Sequence, residues 1–180
     1  MVILNSIPQN YICRVKLKGE QIFQKHTFIQ KKFFSEIKRS KEMKIGIFFG
    51  SSTGTTEDVA GRIASVLNVD SADVHNVSGA NSSDIEGYDV LVLGSSTWGS
   101  GELQDDWVDG VNAFKSANLS GKKIAFFGCG DSSSFSDTFC DAMGLIKAEL
   151  ADSGAEFIGS ISTDGYTFDG SVSVEGDHFI

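Results

Sequence analysis

The sequence predicts an α/β fold, a doubly wound parallel sheet of five strands with helices on both faces. Along residues 44–161, short apolar segments alternate with segments whose apolar residues repeat at helical spacing. This alternation is typical of a parallel sheet with right-handed crossovers. Three glycine- and serine-rich loops each follow an apolar segment directly. Because such sheets bind ligands at the carboxyl ends of their strands, these loops indicate a binding site.

The first strand is predicted at residues 44–49, an apolar run with β-branched and aromatic side chains. A helix follows, because apolar side chains then recur at helical spacing at Val59, Ile63, Val66 and Leu67. Residues 50–56 connect the two. A loop that opens a helix presents unpaired backbone N–H groups beside the positive end of the helix dipole, so it is a candidate anion site, most often for phosphate.

This first loop is rich in hydroxyls and contains no lysine. The missing lysine and the glycine spacing exclude a nucleoside-triphosphate loop, and the Gly-x-Gly-x-x-Gly pattern of a dinucleotide site is absent. We therefore expect a phosphate monoester held by backbone dipoles and hydroxyls. The alternative is an ordinary Ser/Thr/Gly turn that caps a helix. The candidate residues are Ser51, Ser52, Thr53, Gly54, Thr55 and Thr56.

Four more strands and two more helices are predicted after this unit. The strands are short apolar runs at residues 74–77, 89–93, 122–127 and 157–161. The helices are predicted from two sets of residues at helical spacing: Leu103, Trp107, Val111 and Phe114, and then Phe139, Met143, Ile146 and Leu150. Trp107 lies on an apolar helix face and is expected in the core. Residues 164–180 show little pattern.

The second and third loops each carry an aromatic residue outside any helical repeat. Residues 94–101 hold Trp98, and residues 128–135 end in Phe135. Such an aromatic ring either fills a gap in the core or faces a ligand, and it stacks well on planar π systems. Since three loops of this kind would meet at one sheet edge, we expect one binding cleft there.

Composition excludes several other classes. The chain has 180 residues, 41% of them hydrophobic, which is enough for one buried core. No apolar run approaches the ~20 residues of a membrane span. The odd cysteine count without a CxxC pair indicates a reducing compartment. The cysteines and the three scattered histidines lack metal-ligand spacing, so we expect no metal site.

Charge divides the chain near Met43. Residues 1–42 hold nine Lys/Arg against three Glu, a net charge of +6, so the whole-chain value of −9 leaves −15 for residues 43–180. We interpret Met43 as the start of the domain. Residues 1–42 are then a basic extension, either translated from a mis-assigned start, which we favour, or a targeting segment or disordered arm. They match neither a signal peptide nor a transit peptide well.

Together, the motifs make residues 44–180 resemble the flavodoxin family. The family's phosphate loop reads Thr/Ser-x-Thr-Gly-x-Thr, as residues 51–56 do. Its second loop has Thr-Trp and then Gly-Glu-Leu, matched by residues 97–103, and its third has Gly-x-Gly-Asp and then an aromatic, matched by residues 128–135. Residues 162–166 resemble the stretch after the fifth strand in long-chain members.

The resemblance implies the sheet order 2-1-3-4-5 and one non-covalent FMN. It also implies that the protein carries single electrons between redox enzymes and is not itself an enzyme. The phosphate would lie on residues 51–56 and the isoalloxazine between Trp98 and Phe135, with backbone groups of both loops along the ring edge. Beyond the first loop, the implied cofactor-binding residues are Ser96, Thr97, Trp98, Gly99, Ser100, Gly101, Cys129, Gly130, Asp131, Phe135 and Asp164.

The charges predict a low reduction potential, because negative surroundings disfavour an added electron. Gly99 can turn its peptide at low steric cost, so its carbonyl could accept a hydrogen bond from the one-electron-reduced flavin, as the resemblance suggests.

The acidic surface favours redox partners with basic surfaces and argues against nucleic acid, although it could serve solubility alone. We expect a monomer in the cytoplasm, or in an organelle if residues 1–42 are a transit segment.

Three other protein classes are alternatives to a flavodoxin. A flavodoxin-like quinone or NAD(P)H oxidoreductase would need a substrate pocket above the flavin, and no added segment is present to form one. A response-regulator receiver needs an acidic pair after the first strand, where Phe49, Gly50 and Ser51 stand. A low-molecular-weight phosphatase needs Cys-x5-Arg there. Long-chain flavodoxins also continue through the second half of the fifth strand and a final helix. We therefore expect either a chain truncated after Ile180 or a domain that relies on FMN for its stability.

Overall fold

The computed structural model describes the backbone of residues 12–13 and the whole of residues 43–180. The rest of the predicted extension lies outside the described residues. The strands are β1 (Ile12–Cys13), β2 (Ile45–Phe49), β3 (Val74–Asn76), β4 (Val90–Trp98), β5 (Glu102–Leu103), β6 (Lys123–Cys129), β7 (Glu156–Phe157), β8 (Ile161–Ser162), β9 (Val174–Glu175) and β10 (His178–Phe179). The α-helices are α1 (Thr55–Leu67), α2 (Ser82–Glu86), α3 (Asp105–Ser116) and α4 (Asp141–Glu149).

The main sheet has the predicted strand order. β2 pairs in parallel with β3 on one side and with β4 on the other, β4 pairs with β6, and β6 pairs with β7. The five parallel strands are β2, β3, β4, β6 and β7. Numbered 1 to 5 along the chain, they lie in the order 2-1-3-4-5. β5 adds to β4 and β1 adds to the end of β6, both antiparallel.

The core has two sides because side chains alternate along the central strands. Phe48 packs in the same buried cluster as Trp107 of α3. Its neighbour Ile47 packs in a second cluster with Ala60 of α1. Helices thus cover both faces, as predicted, since a central parallel strand is apolar on both sides.

Two predicted loops are shorter than expected because their strands continue beyond the apolar residues. β4 runs to Trp98 instead of ending at Leu93, and β6 runs to Cys129. The assignment of Trp98 to a loop was therefore wrong. The polar end of β4 stays extended because Ser96 is paired with Cys129 of β6 and Trp98 with Glu102 of β5.

The single strand predicted at residues 157–161 was also wrong. β7 ends at Phe157 and β8 belongs to a separate three-stranded sheet, in the order β8-β10-β9. Gly159, with φ of 81°, separates the two strands. Residues 164–180 are consequently more ordered than their sequence indicates. Phe179 of β10 is buried and meets the ring of Phe139 at 6.0 Å between centroids, which anchors this sheet on the main domain.

The helices begin slightly later than their first apolar repeats indicate. Leu103 lies in β5, and α3 begins two residues later, at Asp105. Phe139 likewise precedes α4, which begins at Asp141. In the described part of the chain, no helix is long and apolar enough to cross a membrane.

Candidate functional site

The structure brings the three loops to one edge of the sheet. Their strands, β2, β4 and β6, are parallel neighbours whose carboxyl ends lie side by side. Residues 50–54 follow β2, residues 99–101 join β4 to β5, and residues 130–135 follow β6. The first loop is held at its base to β4, where the Gly50 N–H donates to the Gly94 carbonyl at 3.0 Å. One continuous site therefore spans three strand ends.

The first loop leads into α1 through a left-handed glycine. Gly54 is the N-cap residue, with φ of 85°, and no side chain caps the first turn of the helix. A Cβ at Gly54 would have open space around it, so glycine is favoured there by the backbone conformation and not by crowding. The Gly54 N–H donates to Ser51 Oγ at 3.1 Å, which holds the loop in its turn. The amino end of α1 is thus presented to an anion.

Thr56 and Cys129 are the two candidate residues whose side chains are buried. They lie side by side, joined by a hydrogen bond between hydroxyl and thiol. Burial raises the pKa of Cys129 to about 12; Cys140 and Asp58 act in the same direction, while the Thr56 hydroxyl opposes them. The thiol therefore stays protonated, which agrees with its interpretation as a small filler rather than a redox centre.

Because the pKa of Cys129 is raised, the stability of the protein should decrease at alkaline pH. The unfolded thiol, with a pKa near 9.0, loses its proton before the folded one, so the free energy of unfolding is expected to fall between about pH 9 and 12. Urea unfolding at several pH values measures this slope. Cys129→Ala is expected to have a shallower slope over the same range. An unchanged slope in that variant would show that Cys129 is not the titrating group.

The second loop is a tight hairpin with an exposed aromatic at its start. Gly99 and Gly101 have φ of 51° and 97°, and the Gly101 N–H donates to the Trp98 carbonyl at 3.1 Å. The Trp98 ring is 41% exposed, and its Nε1 donates to Ser96 Oγ at 2.9 Å. This hydrogen bond orients the indole while leaving its surface accessible.

The third loop places a carboxylate and a second aromatic at the same edge. The Asp131 carboxylate accepts from the Ser133 N–H at 2.9 Å. Hydrogen bonds from the Ser134 hydroxyl and the Ser133 N–H lower the pKa of Asp131, so it carries a negative charge at neutral pH. Phe135 is 53% exposed, and its N–H donates to the Asp131 carbonyl at 3.0 Å. The site thus has one exposed ring at the end of β4, Trp98, and another in the third loop, Phe135.

The amino end of α3 contacts the first loop, and the sequence does not predict this contact. Gln104, at 1% exposure, donates from Nε2 to Ser52 Oγ at 3.0 Å. The Asp106 carboxylate accepts from the Ser51 N–H at 3.1 Å and from Asn76 Nδ2 at 3.0 Å. The sequence does not predict that Asp106 contacts this loop. A polar residue before a helix is ordinary N-cap chemistry, so the sequence carries no signal for this role.

The amino end of α4 contacts the second loop in a similar way. The Ala142 N–H donates to Thr97 Oγ1 at 3.1 Å. The buried carboxylate of Asp141 accepts from the Val172 N–H at 2.8 Å and lies 2.8 Å from where a Cβ on Gly101 would be. Asp141 was not among the predicted site residues. Since a side chain at Gly101 would collide with it, this glycine is required for space as well as for its φ.

The remaining candidates are placed as follows. Asp164 lies in the turn after β8, where its N–H donates to Ser162 Oγ at 3.1 Å, and not on one of the three loops. Exposed candidates are Ser52, Thr53, Thr55, Trp98, Gly99, Ser100, Phe135 and Asp164. Half-buried ones are Ser51, Gly54, Ser96, Thr97, Gly101, Gly130 and Asp131. Among the residues that the structure describes, no three His, Cys, Asp or Glu side chains group as metal ligands.

Comparison with known proteins identifies the family. A family model described as flavodoxin matches residues 47–177. The chain belongs to the flavodoxin family. Flavodoxin 1 of Salmonella typhimurium is 43% identical over 136 residues, which cover 75% of this chain and 77% of that protein. The flavodoxin of Synechococcus elongatus is 38% identical over 138 residues, covering 76% and 81%.

Among solved structures, Fusobacterium nucleatum flavodoxin bound to flavin mononucleotide is similar with a TM-score of 0.69. It is 27% identical, and the match covers 77% of this chain and 82% of that one. The resemblance and the flavodoxin-like fold predicted from the sequence are therefore confirmed. Flavodoxins are electron-transfer proteins, which confirms the prediction of a carrier rather than an enzyme and disfavours the oxidoreductase alternative.

Proposed function

We propose that this flavodoxin binds one FMN non-covalently at the carboxyl edge of its sheet and carries single electrons between redox proteins at low potential. This proposal rests on one observation: a loop suited to bind an anion lies at the same sheet edge as two exposed aromatic side chains, Trp98 and Phe135. FMN joins a phosphate to a planar ring system and, when bound, supplies the redox chemistry. The F. nucleatum flavodoxin holds the same cofactor.

The phosphate would bind without a cation, through residues 51–56. The six Lys/Arg side chains of residues 43–180 bind other groups: Lys44, Arg62, Lys115, Lys123 and Lys147 pair with carboxylates, and Lys122 donates to backbone carbonyls. Backbone N–H groups at the amino end of α1 and the hydroxyls of the loop remain as donors. These donors suit a dianion that only accepts hydrogen bonds.

The ring would lie between Trp98 and Phe135, the two exposed aromatics of the edge. Gly99 and Gly101 adopt positive φ in the hairpin after Trp98, and the backbone of this hairpin would line the ring edge. The segment from Cys129 to Asp131 would approach from the other side. Gly99 would present its carbonyl as an acceptor for a proton on the reduced ring.

Acidic side chains would keep the potential low. Several surround the three loops: Glu57, Asp58, Glu102, Asp105, Asp106, Asp131 and Asp137. Of these, the ionised Asp131 lies in the third loop itself. Together with a dianionic phosphate they would disfavour an added negative charge, and each ~60 mV in a one-electron couple corresponds to about 1.4 kcal/mol.

The same charges would steer redox partners. With a net charge of −15 on residues 43–180, a partner with a basic surface would associate faster at low salt, because steering between opposite charges is screened by ions. We propose transient complexes of this kind. A monomer in the cytoplasm is our proposal for its state and location.

We also propose that residues 43–180 form the FMN-binding domain, since the described core clusters lie within them. Both the whole chain and this fragment are expected to be yellow, to release FMN on denaturation, and to pass through a blue one-electron-reduced form. An anaerobic stepwise reduction followed by visible spectroscopy measures this. A single two-electron step would contradict the carrier, and a fragment that cannot take up FMN would contradict the domain boundary.

A further inference from the structure

We propose that Gln104 is a positioning residue that makes the Ser52 hydroxyl a donor to the bound phosphate. This inference rests on the proposed function, because it concerns the same loop. Gln104 itself is buried, at 1% exposure, so it would act through Ser52. It is the N-cap residue of α3 and reaches the first loop from a separate element.

The orientation of the Gln104 amide follows from its neighbours. Its Oε1 accepts from the Asp106 backbone N–H at 3.0 Å, and its Nε2 lies 3.0 Å from Ser52 Oγ. A backbone N–H can only donate, so the oxygen of the amide must face Asp106. The NH₂ group must then face Ser52, and the reversed amide would place two donors against each other.

This orientation determines what the Ser52 hydroxyl can do. Because the NH₂ group can only donate, Ser52 Oγ accepts its hydrogen bond from Gln104. The hydrogen of the Ser52 hydroxyl therefore points away from Gln104. Ser52 is exposed on the loop, so that hydrogen is available to a ligand. Ser51 Oγ is arranged in the same way, since it accepts from the Gly54 N–H. The loop therefore offers two hydroxyl donors of defined polarity.

The packing shows that room is left for this contact. A Cβ at Gly50 would lie 2.1 Å from Gln104 Oε1 and 2.6 Å from Trp107 Cδ1. Glycine at this position thus lets the Gln104 side chain cross the base of the loop. Next to it, the Asp106 carboxylate holds the Ser51 N–H. The amino end of α3 consequently holds two successive residues of the loop.

Gln104→Glu tests the proposal with a side chain of the same size. A carboxylate still accepts from the Asp106 N–H, but it cannot donate to Ser52, so the Ser52 hydrogen must turn toward it and away from the phosphate. We expect the Kd for FMN to rise roughly ten- to hundredfold, as for loss of a hydrogen bond to a charged group. The Kd for riboflavin, which has no phosphate, should change less than about twofold. Titrating the apoprotein with each flavin measures both.

The Ser52→Ala variant distinguishes the loss of the hydrogen bond from the Ser52 hydroxyl from repulsion of the phosphate by the new charge at position 104. It should weaken FMN binding and spare riboflavin, and adding Gln104→Glu to it should cost much less than in the wild type, because the two changes act on one hydrogen bond. Fully additive effects would show that the charge alone repels the phosphate and would overturn the proposal. So would equal losses for both flavins, or an unchanged Kd for FMN in Ser52→Ala. A wild-type protein that binds neither flavin would instead refute the proposed function, and this inference with it.

Discussion

Replacing Trp107 with alanine is expected to lower the free energy of unfolding by about 3–5 kcal/mol. Trp107 is 0% exposed, and its ring lies 5.5 Å from that of Phe114 between centroids. Its Nε1 donates to the Gly94 carbonyl at 2.8 Å, which ties α3 to the sheet below the first loop. Alanine would remove the apolar burial and the hydrogen bond together, and it would leave a cavity between helix and sheet.

Urea unfolding followed by far-UV circular dichroism measures this loss, on apoprotein because bound FMN would add to stability. Trp107→Phe keeps most of the packing and should lose less, about 1 kcal/mol for the hydrogen bond plus a smaller cavity. Val108→Ala, at the next residue of α3 and 58% exposed, is the matched control and should change stability by less than about 0.5 kcal/mol. A Trp107→Ala protein as stable as this control would contradict the packing described.

The central strands could be predicted because their sequence reflects burial on both sides. Residues such as Ile47 and Phe48 face opposite helical layers, so the whole run is apolar and no polar face confuses the assignment. A strand continues beyond its apolar pattern where pairing with a neighbouring strand keeps the backbone extended. At the end of β4, Ser96 stays in the sheet through its pairing with β6, which no local pattern reveals.

The small sheet of residues 161–179 could not be predicted for a related reason. Its strands have two residues each, too few for an alternating pattern to show. Its stability comes from rings that are distant in sequence, such as Phe179 packed on Phe139. The aromatic residues of this Gly/Asp/Ser-rich segment follow no helical or alternating pattern, so they did not predict the small sheet.

The loops of the site could be predicted, but the residues that hold them could not. One glycine-, serine- and threonine-rich loop at a strand end could be an ordinary turn, but three such loops at strand ends of one parallel sheet reinforce one another as a binding site. By contrast, the contact between Ser52 and Gln104 joins positions 52 residues apart. Only the parallel sheet, which places α3 beside the first loop, brings them together.

Replacing Trp98 or Phe135 with alanine is expected to weaken FMN binding by about 5- to 150-fold in each case, which corresponds to roughly 1–3 kcal/mol for one stacked ring. Both rings are exposed in the structure, so their removal should leave the stability of the apoprotein nearly unchanged. The larger loss is expected for Trp98, because the indole has the larger π face and is oriented by Ser96.

Titration of apoprotein with FMN and with riboflavin, followed by flavin fluorescence, measures these losses. Stacking concerns the ring and not the phosphate, so both flavins should be weakened alike, whereas Gln104→Glu should affect FMN alone. Trp98→Phe and Phe135→Tyr retain a π face and should bind nearly as the wild type does. Val66→Ala, an exposed apolar residue of α1 away from the loops, is the control for surface effects. If both alanine variants bind FMN as tightly as this control, the ring does not lie between Trp98 and Phe135, and the phosphate loop alone would have to account for binding.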